Sequence, residues 1–317
     1  MTRSLAVYYE HPVWFLPLFA ELDARNIDYL KLDASRHSYD PAEVAADFSL
    51  LFNRMSASAY LRGNGHAIFF THAYLAHLEA ADVRVLNGSR AFALETSKTR
   101  QLQLLRSLGI SFPKTRVVNC TGEILGAAQQ IGFPLLVKPN IGGRGAGIVR
   151  FDSIEQLKTA VEECTFQLGI DQIALVQEFI PARNGRITRV ETLGGKFLYA
   201  IDVLVTGESF NLCPAELCHI ESVVEFLENP EANVSKAGLK IESCTPPRKL
   251  VDVVEKIVAA AGIDVGGVEY MIDDRDGRAV FYDINALSNF VADAPRVIGF
   301  DPHVQLVDFL ERQLGNH

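Results

Sequence analysis

Apolar residues recur along this chain with two spacings, and the spacing predicts which segments are strands and which are helices. Short apolar runs predict strands at 5–9, 28–33, 50–55 and 83–87. Helices are predicted between them, over 14–26, where apolar residues recur at i, i+3, i+4 and i+7, and over 67–80. Strands that alternate with helices are typical of a small parallel α/β domain, which we expect to end near Gly88.

The second part of the chain has a different order of elements. We expect one helix over 90–110 and further helices over 122–131, 154–163, 250–261 and 304–314. Strands are predicted at 115–118, 133–138, 173–180, 187–193, 196–205, 265–272 and 278–286. Because Gly194 and Gly195 separate two of these strands, they predict a β-hairpin.

A glycine-rich loop between two apolar runs, in residues 133–149, is the first candidate for chemistry. Four glycines occur within six residues there: Gly142, Gly143, Gly145 and Gly147. Successive amides in such a loop form a concavity that suits phosphate oxygens. Lys138, near the end of the first strand, adds a positive charge beside them. The simpler alternative is a mobile turn without a ligand.

Composition limits the classes of function. The chain has 317 residues, enough for two or three domains, and 48% of them are hydrophobic and 22% charged. A net charge of −9 argues against nucleic acid as a partner. We see neither a signal peptide nor a membrane span, and five scattered cysteines favour a reducing cytoplasm. We therefore predict a cytoplasmic protein without membrane or nucleic-acid partners.

Oxygen-bearing side chains on the late hairpin are the second candidate. Asp283 and Asn285 are two residues apart, so on a strand they point to the same face, and Glu269 lies on the neighbouring strand. Two carboxylates and an amide are hard ligands that suit Mg²⁺ bridging nucleotide phosphates. A solvated polar face is the alternative. Cys213, Cys218 and His219 have loose spacing, and we interpret them as ordinary residues rather than zinc ligands.

Taken in order, these segments resemble the ATP-grasp superfamily, and within it the RimK-like carboxylate–amine ligases. The ordered set is specific although no single motif is. It comprises the helix with Lys98, the loop after Phe133-Pro134, and the segments 175–180, 187–190, 193–196, 267–269 and 283–286.

The resemblance implies an α/β protein with α+β lobes, namely an ATP-grasp fold behind an N-terminal pre-ATP-grasp α/β domain. The implied domains are 1–90, the small lobe with its linker helix at 91–181, and the C-terminal lobe with the metal site at 182–317. The implied ATP-binding residues are the lysines Lys98 and Lys138, the loop Gly142, Gly143, Arg144, Gly145, Ala146 and Gly147, and the adenine hinge Gln177, Glu178, Phe179 and Ile180. Glu178 is implied to face the nucleotide. The implied Mg²⁺ ligands are Glu269, Asp283 and Asn285, and the implied catalytic residues are Arg189 and Lys138.

The activity that the resemblance implies is ligation of a carboxylate to an amine through an acyl phosphate, on an amino acid or peptide. Two alternatives stay open: a kinase-like phosphotransferase, and a nucleotide-binding module without catalysis. A homo-oligomer is compatible with the sequence. Two departures affect the site. Asp283 replaces the usual glutamate, and Glu208–Pro214 replaces a basic stretch of the glutamate-adding members. We therefore predict a less acidic substrate than glutamate, held partly by Asn211 and Glu216.

Overall fold

The computed structural model describes residues 4–42, 46–165, 168–204 and 240–315, and the strands in these ranges form three sheets. The first sheet is parallel, with the order β2-β1-β3-β4. Its strands are β1 (Leu5–Tyr9), β2 (Tyr29–Asp33), β3 (Leu50–Arg54) and β4 (Arg84–Leu86). The helices α1 (Leu16–Ala24) and α2 (Gly65–Ala80) connect them, and a 3₁₀ helix spans Ala57–Arg62. The predicted parallel α/β arrangement is confirmed.

The expectation of one continuous helix over 90–110 is wrong. Two helices occupy this region, α3 (Ser89–Glu95) and α4 (Lys98–Ser107). Ser97 between them has an extended backbone, and its hydroxyl accepts a hydrogen bond from the N–H of Arg100. Serine is a favoured residue at this capping position because it satisfies a free helical N–H group. The break places Lys98 in the first turn of a new helix.

The second sheet is antiparallel, with the order β5-β8-β6-β7. Its strands are β5 (Thr115–Val118), β6 (Leu135–Pro139), β7 (Val149–Phe151) and β8 (Ala174–Glu178). The helices α5 (Ile124–Ile131) and α6 (Ile154–Glu162) bury apolar side chains against it, including Ile124 and Leu157. The glycine-rich loop connects β6 to β7, as the sequence predicts.

The third sheet is also antiparallel, with the order β11-β10-β9-β12-β13. Its strands are β9 (Ala182–Leu193), β10 (Lys196–Leu204), β11 (Lys240–Ser243), β12 (Val265–Asp273) and β13 (Ala279–Asn285). The helices that follow its strands are α7 (Arg248–Ala261), α8 (Ala294–Ile298) and α9 (Pro302–Gly315). Gly194 and Gly195 both have positive φ in the hairpin between β9 and β10. The sequence did not predict β11, α8 or the 3₁₀ helix.

Apolar packing holds the first sheet against the third. Leu5 and Phe52 of the first sheet share one buried cluster with Ile201 and Val203 of β10. A second cluster packs Val254 and the other apolar residues of α7 against β9, β12 and β13. Burial of the apolar side chains in the first of these clusters holds the first sheet against the third. No helix among the described residues is both long and apolar enough to cross a membrane.

Candidate active site

A cleft of about 430 Å³ is lined by strand residues of the second and third sheets and by Trp14, Ser56 and Ser58, which follow strands of the first sheet. Every residue that the sequence predicted for ATP, Mg²⁺ or catalysis lines it, except Gly147. Gly147 lies in the same loop with a φ of +73°, and a Cβ there would approach Pro139. The structure therefore brings together segments that are separated by as many as 187 residues, from Lys98 to Asn285.

Charged side chains form a row across three adjacent strands on the face that lines the cleft. Arg189 of β9, Glu269 of β12 and Asp283 of β13 are direct cross-strand neighbours. Arg189 Nη1 lies 3.1 Å from Glu269 Oε1, and Lys98 Nζ lies 2.6 Å from Asp283 Oδ1. Each carboxylate of this row therefore has its own cation.

A second row lies next to it, one side-chain period along the same strands. Asn285, Gly267 and Glu191 are cross-strand neighbours there. Glu191 Oε1 accepts a hydrogen bond of 2.6 Å from Arg189 Nε, which links the two rows. A Cβ on Gly267 would lie 2.8 Å from Glu191 Oε2, so the glycine makes room for this carboxylate.

Burial and neighbouring charge act in opposite directions on these groups. Burial would raise the pKa of Asp283, but the ammonium of Lys98 lowers it below its usual range. For Glu269, burial prevails over the attraction of Arg189 and raises the pKa. For Lys138, burial and the positive charge of Lys98 lower the pKa to about 7. The site thus favours an ionised Asp283 and a readily deprotonated Lys138.

Asn140 joins the two candidate phosphate-binding lysines. It follows β6, which carries Lys138, and its carbonyl oxygen accepts a hydrogen bond of 3.2 Å from the N–H of Lys98. Its side-chain oxygen accepts 2.9 Å and 3.1 Å hydrogen bonds from Thr99 N and Ser97 Oγ. The start of α4 is therefore fixed to the base of the glycine-rich loop.

The predicted hinge lines the cleft, but its side chains are engaged elsewhere. Gln177 Nε2 donates a 2.8 Å hydrogen bond to Thr115 Oγ1. The Glu178 carboxylate accepts one of 2.8 Å from the N–H of Lys114 and lies 3.5 Å from Arg275 Nη2. The N–H of Phe179 donates to the carbonyl of Pro134. The hinge is thus held by hydrogen bonds on both sides.

Sequence reasoning missed two side chains that hold the outer edge of the candidate metal-binding strand, β13. Glu95 accepts hydrogen bonds of 2.7 Å and 3.2 Å from the N–H groups of Ala286 and Leu287. Gln101 donates to the carbonyl of Ile284 and accepts from its N–H. Both lie on helices near Lys98, at positions where no sequence spacing indicated chemistry. Buried bonds of this kind fix Asp283 and Asn285 relative to Lys98.

The residues present suit Mg²⁺, provided that the nucleotide contributes ligands. Carboxylate and amide oxygens are the ligands Mg²⁺ prefers, and Glu269, Asp283 and Asn285 line one cleft. Asn285 Nδ2 is buried without a hydrogen-bond partner in the structure, which is unusual for a buried amide. Among the described residues, no three His, Cys, Asp or Glu side chains form a metal-binding group. Phosphate oxygens would have to complete such a site.

The predicted substrate residues Asn211 and Glu216 lie outside the described residues. The same is true of Cys213, Cys218 and His219, which we interpret from the sequence as ordinary residues rather than zinc ligands.

The chain resembles known proteins both in sequence and in structure. Residues 95–210 match the RimK-like ATP-grasp domain. A protein named probable alpha-L-glutamate ligase, from Trichodesmium erythraeum (strain IMS101), is 25% identical over 248 residues, covering 78% of this chain and 74% of that protein. A RimK domain ATP-grasp protein from Sphaerobacter thermophilus DSM 20745 has a TM-score of 0.67 and 20% identity, with 97% of this chain and 99% of that chain covered.

A third similar protein is the ATP-grasp ligase PsnB, solved with a phosphomimetic variant of its minimal precursor, Mg and ADP. It has a TM-score of 0.66 and 18% identity, and 98% of each chain is covered. At this identity, the two solved structures support the fold alone.

Proposed function

We propose that this chain, which has an ATP-grasp fold and carries a RimK-like ATP-grasp domain, joins a carboxylate to an amine with ATP. The family, the fold and this class of reaction agree with the sequence-based prediction, and the comparisons confirm them. The roles of individual residues, the use of Mg²⁺ and the substrates are the parts that we propose.

One observation carries the assignment of roles. One cleft is lined by the glycine-rich loop, by Lys98 and Lys138, and by the row Asp283, Glu269 and Arg189. Lysines, an arginine and carboxylates in a shielded cleft neutralise and position phosphates, and phosphoryl transfer needs little else from a protein. The three domains that we propose, 1–90, 91–181 and 182–317, each contain one of the three sheets, and each contributes residues to this cleft.

ATP is expected to bind between the second and third sheets. Lys98 and Lys138 would contact its phosphates, and residues 142–147 would cover the γ-phosphate. The N–H groups of Glu178 and Phe179 already donate to the carbonyls of Lys114 and Pro134. We therefore propose that the adenine edge forms its hydrogen bonds with the backbone at the Ile180 end of the hinge. The carboxylate of Glu178 holds the hinge in place and does not serve as the adenine acceptor in this proposal.

The chemical steps follow from these positions. A substrate carboxylate attacks the γ-phosphorus of ATP, the bond from that phosphorus to the β,γ-bridging oxygen breaks, and ADP leaves. The resulting acyl phosphate would lie beside Arg189. An amine then attacks the acyl carbon, so that a C–N bond forms and phosphate leaves. Mg²⁺, held by Glu269, Asp283 and Asn285, would neutralise charge on the phosphates. Burial would lower the pKa of Arg189, but the charges of Glu191 and Glu269 together raise it above its usual range, so Arg189 stays ionised.

The experiment that tests this function measures ADP release with Mg²⁺ and ATP against pairs of carboxylates and amines. We expect release that requires both an acid and an amine. Release with a single acceptor would indicate a phosphotransferase, and ATP binding without turnover would indicate a binding module. The panel should include glutamate beside neutral amino acids and short peptides, because the prediction of a less acidic substrate rests on residues 208–216.

The lowered pKa of Lys138 gives a prediction about protons. At pH 8 this lysine is mostly neutral in the free protein, and nearby ATP phosphates would favour its charged form. ATP binding should therefore take up about 0.9 proton at pH 8 and about 0.1 at pH 6, since the pKa of free Lys138 is about 7. ATP affinity at saturating Mg²⁺ should accordingly increase as the pH is lowered from 8 to 7.

Titration calorimetry in buffers of different ionisation enthalpy measures this uptake. In Lys138→Met the uptake at pH 8 should disappear. An uptake that is the same in this variant and in the wild type would contradict the assignment of the proton to Lys138.

A further inference from the structure

Arg189 is bound by two carboxylates, and only one of them lines the cleft. Its Nη1 lies 3.1 Å from Glu269 Oε1, and its Nε lies 2.6 Å from Glu191 Oε1. Glu269 lines the cleft together with Arg189, whereas Glu191 does not line it and its side chain is only 1% exposed. A ligand in the cleft can therefore compete with Arg189 for Glu269 but not for Glu191.

Both oxygens of Glu269 already accept hydrogen bonds from the protein. Oε1 accepts one of 3.1 Å from Arg189 Nη1, and Oε2 accepts one of 2.8 Å from the hydroxyl of Tyr282. Mg²⁺ at Glu269 would compete with these donors for the lone pairs, and its charge would repel the guanidinium. Binding of Mg²⁺ by Glu269 should therefore weaken the contact of this carboxylate with Arg189.

Glu191 has an unused acceptor that Arg189 can take instead. Oε2 of Glu191 is buried and has no hydrogen-bond partner, although buried polar atoms in proteins are normally paired. Gly267 makes room for this oxygen, because a Cβ there would lie only 2.8 Å from it. Arginine can bind both oxygens of one carboxylate through two parallel N–H···O bonds. A second bond to Glu191 would replace the contact of Arg189 with Glu269.

We propose that Glu191 is a positioning residue, which holds Arg189 through both of its oxygens when Mg²⁺ binds to Glu269. The inference rests on the proposed function, in which Glu269 is a Mg²⁺ ligand and Arg189 lies beside the acyl phosphate. A buried guanidinium without an anion is costly, and without Glu191 this cost would oppose metal binding. Glu191 thus acts through Arg189 and contacts neither the nucleotide nor the metal.

Glu191→Gln distinguishes this role from simple charge pairing. Glutamine has nearly the same shape as glutamate, but its side chain offers one acceptor oxygen, and its other terminal atom is a donor nitrogen. The Nε of Arg189 can therefore keep its bond, whereas the second bond cannot form. Arg189 should then hold Glu269 more strongly, and Mg²⁺ should bind more weakly.

The test measures binding of ADP to the full chain by calorimetry, with Mg²⁺ and again in EDTA. ADP is the probe because it has no γ-phosphate that could supply another anion beside Arg189. The readout is the Mg²⁺ factor, meaning the factor by which Mg²⁺ strengthens ADP binding, and we expect it to be at least about twentyfold in the wild type. In Glu191→Gln it should fall at least about fivefold, while ADP binding in EDTA stays within about twofold of the wild type.

Two further variants complete the test. Glu191→Gln combined with Arg189→Met removes the competitor for Glu269 as well as the second acceptor, so the Mg²⁺ factor should return to at least the wild-type value. This double variant loses one buried cation together with one buried anion, which keeps the net charge of the cluster unchanged. Glu242→Gln is the control, because it changes an exposed glutamate of the same sheet and should leave the Mg²⁺ factor unchanged.

The proposal is wrong if Glu191→Gln keeps the wild-type Mg²⁺ factor, or if it weakens ADP binding equally with Mg²⁺ and in EDTA. It is also wrong if the Mg²⁺ factor of the double variant lies below that of the wild type, and this result would decide the question if Glu191→Gln alone did not fold. A wild type whose ADP affinity is indifferent to Mg²⁺ would instead contradict the proposed metal ligands. Failure of ADP to bind the wild type would contradict the proposed function itself.

Discussion

Asp283→Asn should lower turnover by at least about a thousandfold and leave the fold intact. Asparagine has nearly the same shape as aspartate, but it lacks the negative charge that pairs with Lys98 at 2.6 Å. Because Asp283 is a proposed Mg²⁺ ligand, the substitution would also weaken neutralisation of the charge that develops on the transferred phosphate, an effect of roughly several kcal/mol. About 4 kcal/mol corresponds to a thousandfold change in rate.

Steady-state ADP release at saturating Mg²⁺ is the measurement, with circular dichroism as a check of the fold. Asn285→Ala should abolish turnover in the same way, since Asn285 lies on the same face of β13. Asp276→Asn is a suitable control, because Asp276 pairs with Arg278 in the exposed turn before that strand. Activity within about tenfold of wild type for both site variants would exclude the proposed metal ligands.

Arg189→Met should have the second large effect, and it should affect both stability and turnover. The guanidinium lies between Glu191 at 2.6 Å and Glu269 at 3.1 Å, and all three side chains are almost completely buried. Removing it leaves two buried carboxylates without their cation. Removal of one partner from a buried ion pair typically costs about 3–5 kcal/mol. Turnover should be lost because the acyl phosphate would no longer have its cation.

Arg186→Met gives a matched comparison on the same strand. Arg186 is 44% exposed in its ion pair with Asp202, and pairs of this kind contribute about 0–1 kcal/mol. Arg189→Lys should recover part of the lost stability while turnover stays low, because lysine cannot reproduce both contacts. Denaturant unfolding and ADP release measure the two effects. Equal unfolding free energies for Arg189→Met and Arg186→Met would show that the Arg189 network does not stabilise the fold.

The periodicity of apolar residues determined most of the elements and the class of fold. The prediction came close to the observed bounds for the strands 5–9, 115–118 and 265–272 and for the helix 250–261. Each of these elements buries one face, and a buried face requires apolar residues at a spacing that the local sequence shows. The same alternation placed Asp283 and Asn285 on one face of β13. The resemblance to the ATP-grasp family then identified the candidate cleft residues, because the motifs of that family are short segments that can be recognised in the sequence.

Only the tertiary structure decided which charges meet. Ser97 interrupts the predicted helix because its hydroxyl caps α4. The spacing of apolar residues does not show such a cap. The pairing of Lys98 with Asp283 and the bonds of Glu95 and Gln101 to β13 depend on how α3 and α4 pack against an edge strand. Contacts of this kind depend on the topology of the sheets and on strand register. Local sequence patterns therefore do not predict them.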